Sequence, residues 1–171
     1  MFIAVHLLAG VSLVGCGGSN TSIASESRLT TTSPRQEGNL SFTLSTPQNV
    51  YKRGEDIPFT LTVRNTGDRP VSVYFRNFHD AEPGLYDAKG KGGSYQLHSG
   101  MVVERVVTYA PGESKQYPLD YQQSISEPKY RLPKGRYQLA GWLVGSLSGY
   151  DHYGFDPTPL ASGRLSIEIT D

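Results

Sequence analysis

Apolar residues recur at every second position in four separate stretches of this chain, and this period constrains the fold more than any other feature. Residues of a β-strand point alternately to opposite faces, so the pattern directs one row of side chains to a core and the other to water. Strands with one dry and one wet face are typical of antiparallel sheets that pack on each other. The four stretches are residues 40–44, 57–63, 71–75 and 165–169.

Further segments raise the number of predicted strands to seven or eight. Residues 101–109 are apolar on both faces, and residues 113–121 follow a proline–glycine turn at 110–112. The glycine pair at 92–93 and the break at 83–84 indicate a hairpin or an irregular insert. No part of the domain has convincing helical periodicity. We predict an all-β fold, an immunoglobulin-like antiparallel β-sandwich of about 130 residues.

The charges exclude one broad class of partners. Lysine plus arginine number 16 and aspartate plus glutamate also number 16, so the formal net charge is zero. Without a basic excess or a local basic run, we expect no nucleic-acid partner. The chain has one cysteine, which can form no internal disulfide and no zinc or redox pair.

That cysteine, Cys16, directly follows an apolar run. A run of about 15 residues is too short to cross a membrane and has the length of a signal-peptide apolar segment. Leu13-Val14-Gly15-Cys16 resembles the lipobox of bacterial lipoproteins. The resemblance implies that residues 1–15 are a lipoprotein signal peptide and that Cys16 carries a diacylglyceryl group and a further fatty acid such as palmitate. The mature chain would then be anchored to the outer or plasma membrane. The alternative is an ordinary secretory signal with an unmodified cysteine.

Residues 17–38 are rich in serine, threonine and glycine and nearly free of bulky apolar side chains. Such a segment cannot bury enough apolar surface to order itself. We therefore interpret residues 16–38 as the lipidated cysteine and a flexible linker, and residues 39–171 as the folded domain.

Residues 132–139 resemble the tyrosine corner of immunoglobulin-like domains, in which a tyrosine near the start of strand F bonds to the backbone a few residues upstream. Tyr137 is the tyrosine of this motif. Leu139 and Leu61 then occupy the places of the paired cysteines of immunoglobulin domains. A dry leucine contact replaces the disulfide there.

The order of these features resembles the BsuPI-type intracellular proteinase inhibitor family, a group of small bacterial β-sandwich domains. The resemblance covers roughly residues 42–145. It implies a sandwich fold and inhibition of a proteinase, and it assigns no residue to inhibition. The matching stretches are residues 51–55, 57–63, 65–70, 87–91, 111–114 and 135–137.

No catalytic set is recognisable in the sequence. Residues 145–149 place leucine where the G-x-S-x-G motif of serine hydrolases has its nucleophile, and Cys16 is expected to carry lipid. Carboxylates neighbour His79 and His152, without the ligand spacing of zinc or calcium sites. We expect the loops after strands C and F, which contain these histidines, to emerge at opposite ends of the sandwich. We predict no catalytic residue, no metal and no cofactor.

Residues 146–159 are the first candidate for binding. They connect strands F and G at the end of the sandwich that antibodies use for contact, together with the turn at 65–70. Aromatic residues there supply large contact area at low entropic cost. The candidate binding residues are Tyr150, His152, Tyr153, Phe155, Asp68 and Arg69. The alternative is that the aromatic residues fold back and cover the edge of the sandwich.

The outer face of strand F is a second candidate. If Leu139 points inward, alternation directs Trp142 and Val144 outward, onto the sheet surface shared with Tyr74. An exposed patch of this kind marks a contact site. We expect instead that residues 78–100 cover it.

These observations predict a lipid-anchored, non-enzymatic binding module of the cell envelope. We expect it to bind a protein, and inhibition of a proteinase is one form that this function could take. The first alternative is a structural or assembly component of the envelope that makes contact through an exposed strand edge. The second is a metal-dependent hydrolase that uses His79 or His152.

Overall fold

The computed structural model describes residues 29–77, 79–94, 102–124, 131–147 and 160–171. The signal peptide, Cys16 and the first part of the linker lie outside the described residues, as do Tyr150, His152, Tyr153 and Phe155. The described part of the chain is all β. It contains no helix of the length and apolar character that a membrane span requires.

Thirteen strands occur in the described residues, and eight of them have six or more residues. The strands are β1 (Thr30–Thr31), β2 (Arg35–Glu37), β3 (Leu40–Thr46), β4 (Val50–Lys52), β5 (Ile57–Asn65), β6 (Val71–Asn77), β7 (Ala81–Asp87), β8 (Gly92–Ser94), β9 (Val102–Tyr109), β10 (Ser114–Tyr121), β11 (Gly135–Leu143), β12 (Gly145–Ser146) and β13 (Leu165–Thr170). The long strands confirm the predicted all-β sandwich and its number of main strands.

The strands form two layers. The first has the order β1-β3-β5-β10, with β2 also paired to β3. The second has the order β4-β13-β11-β7-β8. A third sheet, β12-β6-β9, continues this layer, because β6 is followed directly by β7 and β11 is followed directly by β12. At this junction the Val144 N–H donates to the Asp80 carbonyl oxygen over 2.9 Å. Among the described strands, only β4 and β13 pair in parallel.

The core lies between the two layers and consists of the inward rows of the alternating strands. On β5, Ile57, Phe59, Leu61 and Val63 are buried, whereas the residues between them are partly or fully exposed. On β13, the row at positions 165, 167 and 169 is buried in the same cluster. Each buried side chain of this size contributes about 1.5–3 kcal/mol of transfer free energy. Packing of these rows therefore stabilises a domain that has no disulfide.

The predicted linker boundary at residue 38 is wrong, because residues 30–37 belong to the first layer. The strands β1 and β2 both pair antiparallel with β3. Between them, the Thr32 N–H donates to the Leu44 carbonyl over 2.9 Å, and the Leu44 N–H donates to the Thr32 hydroxyl over 3.0 Å. Backbone pairing along a sheet edge thus orders a segment that buries little apolar surface.

Of the two alternatives predicted after strand β6, a hairpin or an irregular insert, the structure has the hairpin, formed by the pairing of β7 with β8. Its turn is held by the Asp87 carboxylate, which accepts hydrogen bonds from two backbone N–H groups at 2.9 and 2.8 Å. The predicted break at Pro83 and Gly84 is wrong, since both residues lie inside β7, opposite Gly141 and Ala140 of β11. A glycine inside a strand often marks a close approach rather than a turn.

Tyr137 has the geometry of a tyrosine corner. Its hydroxyl donates to the carbonyl oxygen of Pro133, four residues upstream, over 2.9 Å. Leu61 and Leu139 are fully buried in the same core cluster. Leu61 also faces Gly141, where an added Cβ would lie 3.4 Å from the Leu61 Cβ.

We expect Tyr137→Phe to lower the free energy of unfolding by about 1 kcal/mol, because the Pro133 carbonyl loses its side-chain donor. Urea unfolding of both proteins measures the difference. Tyr86→Phe is the matched control, since the Tyr86 hydroxyl has no hydrogen-bond partner in the described part of the chain. An equal cost in the two variants would show that the corner hydrogen bond stabilises nothing.

Candidate functional site

The outer face of the second layer carries a cluster of aromatic and cationic side chains. On β11, Leu139 and Leu143 are buried in the core, and Ala140 and Trp142 therefore point to the opposite face. Ala140 pairs with Gly84 of β7. We call this surface the Trp142 face; it consists of Arg35, Gly84, Tyr86, Ala140, Trp142 and Arg164.

Trp142 lies directly on the backbone of the neighbouring strand at Gly84. A Cβ at position 84 would be 2.3 Å from Trp142 Cζ3 and 3.3 Å from Tyr86 Cε2. Both aromatic rings therefore border the space above the same glycine. Both side chains are half-buried, so each keeps part of its surface open to solvent.

Arg164 precedes β13 and reaches across to the aromatic cluster. Its guanidinium carbon lies 4.2 Å from the centroid of the Tyr86 ring, within the range of a cation–π interaction. The Arg164 Nη1 also donates to Gln138 Oε1 over 3.1 Å. These two contacts hold an exposed arginine in one orientation on the sheet surface.

An open groove of about 510 Å³ lies over this cluster. Its lining includes Trp142, Tyr86, Arg164 and Arg35. Arg35 comes from β2 and forms an ion pair with Glu37, with Nη2 and Oε1 at 2.8 Å. The segment that was expected to be an unstructured linker therefore contributes one side of the groove.

Another part of the groove wall is formed within residues 160–163, which are fixed by hydrogen bonds to β11. Leu143 N–H donates to the Leu160 carbonyl over 2.9 Å, and Ser162 N–H donates to the Gly141 carbonyl over 2.8 Å. The hydroxyl of Ser162 accepts a hydrogen bond from the Gly141 N–H over 3.1 Å. This wall is bonded to β11 on the side where β13 no longer pairs with it.

A second depression, of about 360 Å³, adjoins the first along the same sheet face. Its lining includes Gln138, which also binds Arg164, and the cross-strand pair Arg136 and Glu168. Because this arginine and this glutamate face each other across the ladder, their charges offset one another locally. The described residues that line the first groove contain no such pair.

Residues 78–100 were expected to cover Trp142. Residues 81–87 of this segment do not cover it, because they form β7, the strand next to β11 in the same sheet. Tyr74 lies on β6 opposite Ser146, outside the lining of the groove. Residues 95–100 are outside the described part of the chain.

The predicted binding residues Asp68 and Arg69 lie at one end of the sandwich, in the turn between β5 and β6, and both are exposed. The buried Asn65 shapes this turn. Its Nδ2 donates to the carbonyls of Arg69 and Tyr109 over 2.7 and 2.9 Å, and its Oδ1 accepts from the Gly67 N–H over 2.9 Å. The structure does not bring Asp68 or Arg69 into the groove lining. The other predicted binding residues, in 150–155, lie outside the described residues.

Residues around His79 are arranged differently from the expected loop. Asp80 forms an ion pair with Arg105, whose guanidinium carbon lies 5.2 Å from the Phe75 ring centroid. His79 does not lie in a loop after strand C, since Asp80 next to it accepts a hydrogen bond from the Val144 N–H within the sheet. The reason is that strand C continues past this point into β7. The described residues contain no group of three or more His, Cys, Asp or Glu positioned for a metal.

Alternation in the sequence predicts that Trp142 lies on this outer face. It does not indicate the other residues of the face, which are Tyr86, Arg164, Arg35 and Gly84. For Gly84 a signal was present, because a glycine within a strand indicates close approach of another group. For the two arginines no local signal exists. Their proximity depends on sheet order.

No family model and no curated protein matches this chain. Among solved structures it is similar to Spo0M, a sporulation control protein from Bacillus subtilis, with 15% identity and a TM-score of 0.46 over 79% of this chain and 51% of that one. It is similar to the CARDB domain of PF1109 from Pyrococcus furiosus, with 11% identity and a TM-score of 0.40 over 74% and 89% of the two chains.

A β-glucosidase from Listeria innocua also matches, with 11% identity and a TM-score of 0.40 over 83% of this chain and 16% of the enzyme. The chain spans about half the length of Spo0M. Likenesses at this distance carry no functional information.

We expect Gly84→Ala to displace the ring of Trp142, because the new methyl group would overlap Cζ3. Trp142 is the only tryptophan of the chain, so its fluorescence reports the change directly. The expected result is a red-shifted emission and a loss of about 1–2 kcal/mol in the free energy of unfolding. Gly163→Ala is the control, since its nearest neighbours would be 3.6 Å away. An unchanged spectrum for Gly84→Ala would contradict the described packing.

Proposed function

We propose that this chain is a lipid-anchored binding module of the bacterial cell envelope, without catalytic activity of its own, and that it contacts a protein partner through the Trp142 face. The cluster of Trp142, Tyr86 and Arg164 around one groove carries this proposal. Tryptophan, tyrosine and arginine are the residues most enriched among those that dominate protein–protein binding energies. Aromatic residues and arginine are also enriched in the buried centres of such interfaces.

The packing around the groove supports a binding role. Trp142 and Tyr86 are each seated against Gly84, and Arg164 is held by Tyr86 and Gln138. Side chains that are already ordered lose less conformational entropy when a partner binds. The face is therefore pre-organised for a contact.

The anchor is proposed from the sequence alone. Leu13 to Cys16 matches a lipobox at the end of an apolar run, and residues 17–28 have the composition of a solvated tether. Two or three acyl chains anchor a protein stably, whereas a single chain exchanges. The module would then work at a membrane surface of the envelope. Inhibition of a proteinase is one form that its binding could take, and it rests on the resemblance to the BsuPI-type family.

An assembly role is the second candidate, and the edge strand β9 favours it. In the described part of the chain β9 pairs only with β6, and Val106 on β9 is 51% exposed. An open strand edge can receive a strand from a neighbouring protein. In that case the contact would run along β9 and not through the Trp142 face.

We expect mass spectrometry of the chain extracted from membranes to find Cys16 at the N-terminus, carrying diacylglyceryl and acyl groups. Cys16→Ala should appear in the soluble fraction, because no sulfur remains to be alkylated. Fractionation and intact-mass measurement check both outcomes. An unmodified Cys16 in a soluble product would remove the anchor from the proposal.

We expect a photo-crosslinking phenylalanine analogue at position 86 to capture a discrete protein adduct in cells. The same analogue at position 64, where Arg64 is exposed on the first layer, is the matched control and should capture none. Immunoblotting after irradiation compares the two. Equal capture at both positions would contradict a specific role for the Trp142 face, and a single adduct from position 106 alone would favour assembly through β9.

A further inference from the structure

The charges of the two depressions on the second layer differ. The described residues that line the first groove include Arg35 and Arg164 and no carboxylate. In the second depression Arg136 is offset by Glu168. The chain as a whole is neutral, so the positive groove is a local feature and not a consequence of composition.

Two acidic residues on neighbouring positions, Glu37 and Glu82, do not belong to the described lining of the groove. Glu37 pairs with Arg35 and compensates that side chain at the rim. Glu82 lies opposite Trp142 in the ladder, but it is buried and does not line the groove. Arg164 has no carboxylate within ion-pair distance among the described residues. Of the two arginines in the described lining of the groove, Arg164 is therefore the one that is held in position without a carboxylate partner in the described part of the chain.

Arg164 retains the capacity to bind an anion. A guanidinium has five N–H donors, and one of them is used by Gln138. Its planar fork matches the two oxygens of a carboxylate. Contact with the Tyr86 ring removes part of its water shell in advance, so less hydration is lost when a carboxylate binds.

The floor beside Arg164 accepts an apolar group. Gly84 and Ala140 pair across the ladder, and Ala161 lies opposite Trp142. The Trp142 ring covers Gly84, whereas the small side chains of Ala140 and Ala161 line the groove beside the ring. An apolar side chain and an acidic side chain that are neighbours on one partner segment could therefore bind together.

We infer that the Trp142 face binds an acidic segment of a protein partner, with a carboxylate on Arg164 and an adjoining apolar side chain on Trp142. This inference rests on the proposed function and specifies the partner's chemistry. An acidic polysaccharide is disfavoured as the partner of this face, because sugar rings bind by stacking on free faces of aromatic side chains. One face of Tyr86 is occupied by the Arg164 guanidinium at 4.2 Å.

The test uses the mature lipid-bearing chain, extracted in detergent and immobilised, to select from a phage library of random twelve-residue peptides. We expect the selected peptides to be enriched in aspartate or glutamate next to apolar residues. A synthetic peptide of the enriched sequence should bind more weakly as sodium chloride rises, since salt screens the exposed ion pair.

Arg164→Gln should weaken binding of that peptide about tenfold, the size expected for loss of one charge-assisted contact. Arg164→Lys, which keeps the charge but loses the fork, should weaken it by a smaller factor. Trp142→Ala should also weaken binding. Arg64→Gln on the first layer is the matched control and should leave the affinity unchanged. Urea unfolding of each variant establishes that it is folded.

Selection of neutral or basic peptides, or an affinity that Arg164→Gln does not change, would overturn the inference. Binding of polygalacturonate that is lost in Trp142→Ala, in the absence of selected peptides, would assign the face to an acidic glycan instead. Crosslinking from position 86 distinguishes failure of the acidic-partner inference from failure of the proposed function. A protein adduct without acidic selectivity would leave the proposed binding module in place and overturn the acidic partner. Acidic selectivity without an adduct would support the chemistry of the face and contradict the proposed protein contact in cells.

Discussion

The tight packing of β11 on the first layer is the constraint on which the rest of the structure depends. At Gly141 an added Cβ would lie 3.1 Å from Leu44 Cδ1 and 3.3 Å from Leu119 Cδ1. The backbone of β11 therefore packs directly against leucine side chains of the first layer. This contact sets which residues of β11 face inward. Since successive residues of a strand alternate, Ala140 and Trp142 are directed to the opposite face. The core and the candidate site are thus two sides of one strand.

Buried polar groups hold the loops at the two ends of this sandwich. Asn65 satisfies three backbone groups in the turn between β5 and β6. At the other end, Gln123 donates to the Glu55 carbonyl over 2.7 Å and accepts from the Leu132 N–H over 3.1 Å. Hydrogen bonds from the Ser124 backbone and side chain lower the pKa of Asp56. Such satisfied groups specify loop conformations that apolar packing alone would leave open.

The site arises from segments that are far apart in the sequence. Three of its side chains lie on strands: Arg35 on β2, Tyr86 on β7 and Trp142 on β11. Arg164 is the residue that precedes β13. Most of the side chains of the site lie on regular strands, where backbone pairing fixes the spacing between them. Only the walls of the groove use irregular segments, and residues 160–163 are hydrogen-bonded to β11.

The alternating pattern determined four of the main strands, their inward rows and the sandwich class, because a period of two is a local property of the chain. The motif around Tyr137 was also recognisable locally, whereas the turn residues near 83–93 left a hairpin and an irregular insert as alternatives. The pairing of residues 30–37 with β3, the place of Gly84 under Trp142 and the meeting of Arg35 with Arg164 were decided only by the tertiary structure. Sheet order and register bring these residues together across the fold, and neither is encoded in the period of any single strand.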